Sequence, residues 1–67
     1  MTAKEYVKSH YPKARAERQI GNDKKVYWLV RPELHIMYIA TGKTESKAWT
    51  NAKNIIEDKV KNTFTIN

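Results

Sequence analysis

The chain has 67 residues, near the lower limit for folding without staples, so one marginally stable domain is expected over residues 1–67. It has no cysteine, which excludes disulfides and thiolate chemistry and fits a cytoplasmic protein; no apolar run approaches the ~20 residues of a membrane span. Thirteen basic and seven acidic side chains leave a net charge of +6, so a polyanionic partner, nucleic acid or an acidic protein, stands beside plain solubility as the reason for the excess.

The charge is lopsided. Residues 1–31 hold eight Lys or Arg and three acids, while 32–67 hold five and four. The opening "MTAKEYVKSH" lacks the uninterrupted apolar segment of a signal peptide and instead reads as a capped helix. Thr2 and Glu5 have the spacing of a capping box, and Ala3, Tyr6, Val7, His10 and Tyr11 recur at helical intervals. Pro12 disfavours helical backbone in the residue before it, so the first helix is predicted over 3–10.

"KARAERQ" alternates small and polar residues, as a charged edge strand does. "GNDK" is a turn in which Gly21 and Asn22 are the residues free to take positive φ. "VYWLV" follows as a second strand, "RPEL" as a turn and "HIMYIA" as a third strand that Gly42 ends. Thr44 is placed to cap a second helix, with Glu45 in its first turn. Ala48, Trp49, Ala52, Ile55, Ile56 and Val60 form its apolar stripe, opposite Lys47, Asn51, Asn54, Asp58 and Lys61. The tail "NTFTIN" either docks Phe64 or frays. The predicted fold is α+β: αβββα, a three-stranded antiparallel meander with both helices packed on one face.

Strand alternation tests which face is covered. With even loops, Ile20 faces Lys25 and Val30 faces His35. One face then carries Ala14, Ala16, Ile20, Tyr27, Leu29, Ile36, Tyr38 and Ala40, and reads as the core. The other carries Arg15, Glu17, Gln19, Val26, Trp28, Val30, His35, Met37 and Ile39. An odd loop shifts the parity and reshuffles these sets. Either way the central strands are apolar on both sides, and two helices on one face leave an accessible apolar surface. The tail, a second subunit, a stacked base or a protein partner would cover it.

The element order and several residues resemble the double-stranded RNA-binding domain. Pro12 precedes "GNDKKVYW", in which Gly21 takes the family's turn glycine, Lys24 its histidine and Trp28 its core phenylalanine. "ATGKTESKAWTNAK" is similar to the family's second-helix entry at Gly42, Lys43, Thr44 and Ala48, with Lys47 as a neighbouring charge. The resemblance implies an αβββα fold, RNA binding through phosphates and a buried Trp28, the last at odds with the even-loop alternation. The chain departs from the family at Asn22, which replaces the turn proline, and at Glu45, which dilutes the lysine cluster. "TESKAWTNAK" also looks like small phage and mobile-element proteins, which implies a compact inhibitor of a host factor.

Enzymatic chemistry finds little footing. His10 and His35 are the only imidazoles and have no metal-ligand spacing, Ser9 and Ser46 lack an activating base, and "GKTE" lacks the upstream glycine of a P-loop. No cofactor, metal or catalytic residue is expected, and no membrane association. The mouth of the second helix offers either ordinary capping by Thr44 or a phosphate contact with Lys43. The leading expectation is therefore a non-enzymatic nucleic-acid-binding domain. Lys24, Lys25, Lys43 and Lys47 contact phosphates, and Arg15 and Arg18 extend the basic surface. The alternative is a protein-interaction module using Tyr27, Trp28, Met37, Tyr38 and Ile39, with a homodimer through the same face as a third.

Overall fold

A computed structural model describes residues 1–33 and 37–65, with side chains as far as Val60. The elements are α1 (Ala3–His10), β1 (Arg15–Ile20), β2 (Val26–Arg31), β3 (Ala40–Gly42) and α2 (Glu45–Thr65). The strands form one antiparallel sheet in the order β1-β2-β3. This is the expected αβββα arrangement, with the helices packed against the sheet.

The caps behave as the residue types dictate. Glu5 donates its amide to Thr2 Oγ1 at 3.1 Å, and Thr2 donates its amide to Glu5 Oε1 at 3.0 Å, closing the capping box. At the other end Tyr11, held by Pro12 at φ −132° and ψ 87°, leaves the helix while its amide still reaches the Val7 carbonyl. In α2 the Lys47 amide donates to Thr44 Oγ1 at 3.1 Å, so Thr44 is the cap.

The core forms where α1, α2 and one sheet face meet: Val7, Ala14, Val30, Ala40, Ala48, Trp49, Ala52 and Ile56. Alanines on both sides let α2 lie close to β3. Gly42 completes that approach, because a Cβ there would stand 2.5 Å from the Ala48 amide nitrogen. Ile55 and Val60, expected in the α2 stripe, remain partly exposed at its margin. Whether Phe64 docks lies outside the described residues.

Two expectations are corrected. The first hairpin loop runs from Gly21 to Lys25, an odd number of residues, so Ile20 pairs with Val26 and not with Lys25. Lys24 donates its amide to the Gly21 carbonyl, closing the turn, and Lys24 itself takes positive φ (64°) in place of Gly21 or Asn22. Such a left-handed residue after a tight turn steers the chain back into the strand. The extra residue turns β2 over relative to the even-loop assignment. Val26, Trp28 and Val30 share the helix side with Ala14 and Ala16, while Tyr27 and Leu29 share the other side with Arg15, Glu17, Gln19 and Arg31. Trp28 therefore packs against the core, as the family resemblance implies.

The second correction concerns β3. It is three residues long and starts at Ala40, which pairs with Val30, so Met37, Tyr38 and Ile39 precede the strand. Tyr38 and Met37 thus belong to neither sheet face, and His35 and Ile36 lie outside the described residues. No helix among the described residues is long and apolar enough to cross a membrane.

Between Arg15 and Arg31, which face each other across β1 and β2, sits Glu17, 2.7 Å from each guanidinium. The Arg31 hydrogen bond, with charge attraction from Arg31 and Arg15, holds the Glu17 carboxyl below its ordinary 4.5, against a smaller opposing effect of desolvation. A carboxylate depressed in the folded state adds stability above its unfolded value, and that stability is lost as pH falls through 4.5 and on through the lower folded value. Glu5, held by the Thr2 amide and hydroxyl, works in the same direction. Thermal melts between pH 7 and about pH 3 are expected to show a steeper acid loss for the native chain than for Glu17→Gln. Equal losses would mean that this ion cluster does not stabilise the fold.

Candidate nucleic-acid interface

The hairpin loop and the chain entering α2 are far apart in sequence but meet at one end of the sheet. Trp28 pairs with Gly42, so Lys43 leaves β3 at the level of Tyr27. Lys25, Tyr27 and Lys43 line a single hollow of about 710 Å³ with Gly21, Asp23 and Val26. Asp23 accepts the Lys25 amide through Oδ1 at 3.1 Å, which fixes the loop and engages one of its carboxylate oxygens. Tyr27 is 38% exposed, on the sheet face opposite the one that packs against the core.

Of the six basic residues expected to contact phosphate, the fold brings Lys25 and Lys43 together directly. Lys24 belongs to the same turn, exposed beside Lys25. Lys47 lies in the first turns of α2, with its backbone against Gly42 and its side chain exposed. None of these four lysines forms an ion pair among the described residues. Arg15 and Arg18 do not join them. Arg15 is paired with Glu17, and Arg18 points to the opposite side of the sheet, across from Trp28.

Alternation reasoning did not bring out two further features of this part of the molecule. Ile20, 64% exposed, and its partner Val26 form an apolar end to the hairpin beside these cations. Lys4 stands over the Trp49 ring at 5.9 Å, bringing another positive charge near the start of α2. The sequence clue to the hairpin geometry was Asp23, two residues before Lys25, where an Asx-type side-chain bond favours a longer turn.

The residues expected to bind a protein partner are dispersed. Trp28 is turned to the core, Tyr27 lies on the open sheet face, and Ile39 packs against the core. Met37 (77% exposed) and Tyr38 (56%) stand at the entrance to β3. Beside them, hollows of about 460 and 300 Å³ run along α2 at Ile55. Asn51 closes the first of these by donating to the Thr41 carbonyl at 2.7 Å. Ser9 and His10 are exposed at the end of α1 and bond locally to one another and to the Tyr6 carbonyl.

Comparison with family models, with curated proteins and with solved structures finds no match to this chain.

Proposed function

We propose that the protein is a small non-enzymatic nucleic-acid-binding domain whose phosphate contacts are Lys24, Lys25, Lys43 and Lys47. The observation that carries this reading is the convergence of Lys25 and Lys43 on one hollow, with Lys24 and Lys47 alongside and no acidic side chain paired to any of the four among the described residues. Asp23 in the same wall offsets part of this charge, with one oxygen already held by the Lys25 amide, so the four lysines keep a positive excess that favours an anion. The αβββα order and the resemblance to the double-stranded RNA-binding domain at Gly21, Gly42, Lys43 and Ala48 support the same reading. Arg18, on the opposite side of the sheet, and Arg15, which shares Glu17 with Arg31, lie outside this set.

Titration of labelled RNA and DNA at low salt tests it. Four phosphate contacts give a log K against log salt slope of about −3 for a single strand, and removing two of them lowers the slope by roughly 1.4. Lys25→Glu combined with Lys43→Glu is therefore expected to weaken binding and flatten its salt dependence. Absence of binding to either nucleic acid at low salt rejects the reading.

The exposure of Met37 and Tyr38 favours a second reading, a protein-interaction module engaging an acidic host protein at the entrance to β3. In that case Tyr38→Ala abolishes capture of the partner, and lysine reversals on the hairpin leave it intact. A homodimer through the same surface would appear in sedimentation as a concentration-dependent mass.

A further inference from the structure

The four lysines account for attraction to any polyanion, but they do not account for what lies among them. The hollow that holds Lys25 and Lys43 has an aromatic ring, Tyr27, in its wall, with Val26 beside it. Resting on the nucleic-acid reading, we infer that the ligand is single-stranded and that an unpaired base stacks on Tyr27 while its flanking phosphates meet Lys25 and Lys43.

The argument starts from what each ligand presents. A duplex offers a phosphate ridge and keeps its base faces stacked inside, so a ring in a cationic hollow gains nothing from it. A single strand offers phosphates and bare π-faces in alternation, and proteins that bind it combine cations with aromatic platforms. Tyr27 suits that role. It sits on the sheet face opposite the helix-packed core, on the central strand, with Gln19 paired to it on β1. Its neighbour in the turn is Gly21, where an added Cβ would lie in ordinary contact with the ring, 3.7 Å from Cε1, so a residue of this size is tolerated beside it. Beyond Tyr27 on the same face, Leu29 lies between Glu17 and Thr41 and is 5% exposed, which confines the accessible apolar surface of the open face to the Tyr27 end. The hollow's volume of about 710 Å³ falls within the ~300–1,000 Å³ of ordinary ligand sites.

The test uses the full chain, a labelled single strand of about 12 nucleotides in RNA and DNA form, and the duplex of the same sequence at matched salt. The single strand is expected to bind more tightly than the duplex. Tyr27→Ala is expected to weaken single-strand binding by at least about 5-fold, the low end for one lost stack, without changing the salt slope, and Tyr27→Phe to retain it. Should Tyr27→Ala not fold, the Tyr27 ring protons of the native chain decide. An upfield shift on titration supports stacking, and an unmoved signal overturns it. Equal or tighter duplex binding, or native affinity in Tyr27→Ala, overturns this inference while lysine-dependent binding keeps the parent reading. If neither strand form binds, both fall.

Discussion

Trp49→Ala is expected to leave the chain largely unfolded at room temperature. Trp49 is buried between α1 and the sheet as the largest side chain of the core, and its Nε1 donates to Glu45 Oε2 at 3.2 Å one turn earlier in α2. Removing a buried tryptophan costs about 3–5 kcal/mol through lost transfer energy and the cavity left behind. A domain of this size rarely holds more than about 3–5 kcal/mol in total, so the deficit is of the same order as the whole stability. The neighbours cannot refill the space, since Ala48, Ala52 and Val7 are short and fully buried already. Loss of far-UV ellipticity and of amide dispersion checks the expectation, with Trp49→Phe retaining most of the fold. A cooperative melt near the native temperature for Trp49→Ala would mean that this ring is not the centre of the core.

Gly42→Ala has the next largest effect, for a different reason. Gly42 does not adopt positive φ, so backbone conformation does not require glycine there. Space does. The added Cβ would meet the Ala48 nitrogen at 2.5 Å and the Lys47 carbonyl carbon at 2.8 Å, and both are backbone atoms of a capped helix. Neither can rotate aside, so β3 and α2 must separate, and overpacking of this kind costs about 1–3 kcal/mol or more. At about 4–8 °C per kcal/mol for a small domain, melting is expected to fall by roughly 4–24 °C. Gly21→Ala is the control. Its Cβ would crowd only a side-chain atom, Asp23 Oδ1 at 3.0 Å, so its cost is limited to straining the exposed hydrogen bond from the Lys25 amide, about 1 kcal/mol or less. If the two variants melt alike, the close approach of β3 to α2 is not what glycine serves.

Local signals in the chain were the dependable ones. Thr2 with Glu5, Pro12 after Tyr11, and Thr44 before Glu45 each act within one helical turn, and α1 and the start of α2 follow from them. The order αβββα was legible for the same reason, since turn residues and β-branched runs punctuate the chain at short range. The third strand was less so. "HIMYIA" has strand propensity throughout, yet pairing begins only at Ala40, where the partner Val30 is available and small side chains admit α2. The site was half legible. Lysines at 24, 25, 43 and 47 stood out by charge, but their company with Tyr27 did not.

What the amino-acid sequence determined by itself was the set of elements, their caps and the excess of positive charge. What only the tertiary structure decided was which side of β2 faces the helices. That choice rests on the odd length of the Gly21–Lys25 loop, and side chains in a strand alternate with a period of two, so one extra residue sends Trp28 inward and Tyr27 outward. The loop closes on long-range pairing between β1 and β2, with Lys24 taking the left-handed backbone that lets it do so. Asp23, which accepts the Lys25 amide, supports a loop of that length, and the burial of Val30 and Trp28 against Ala48 and its neighbours selects it.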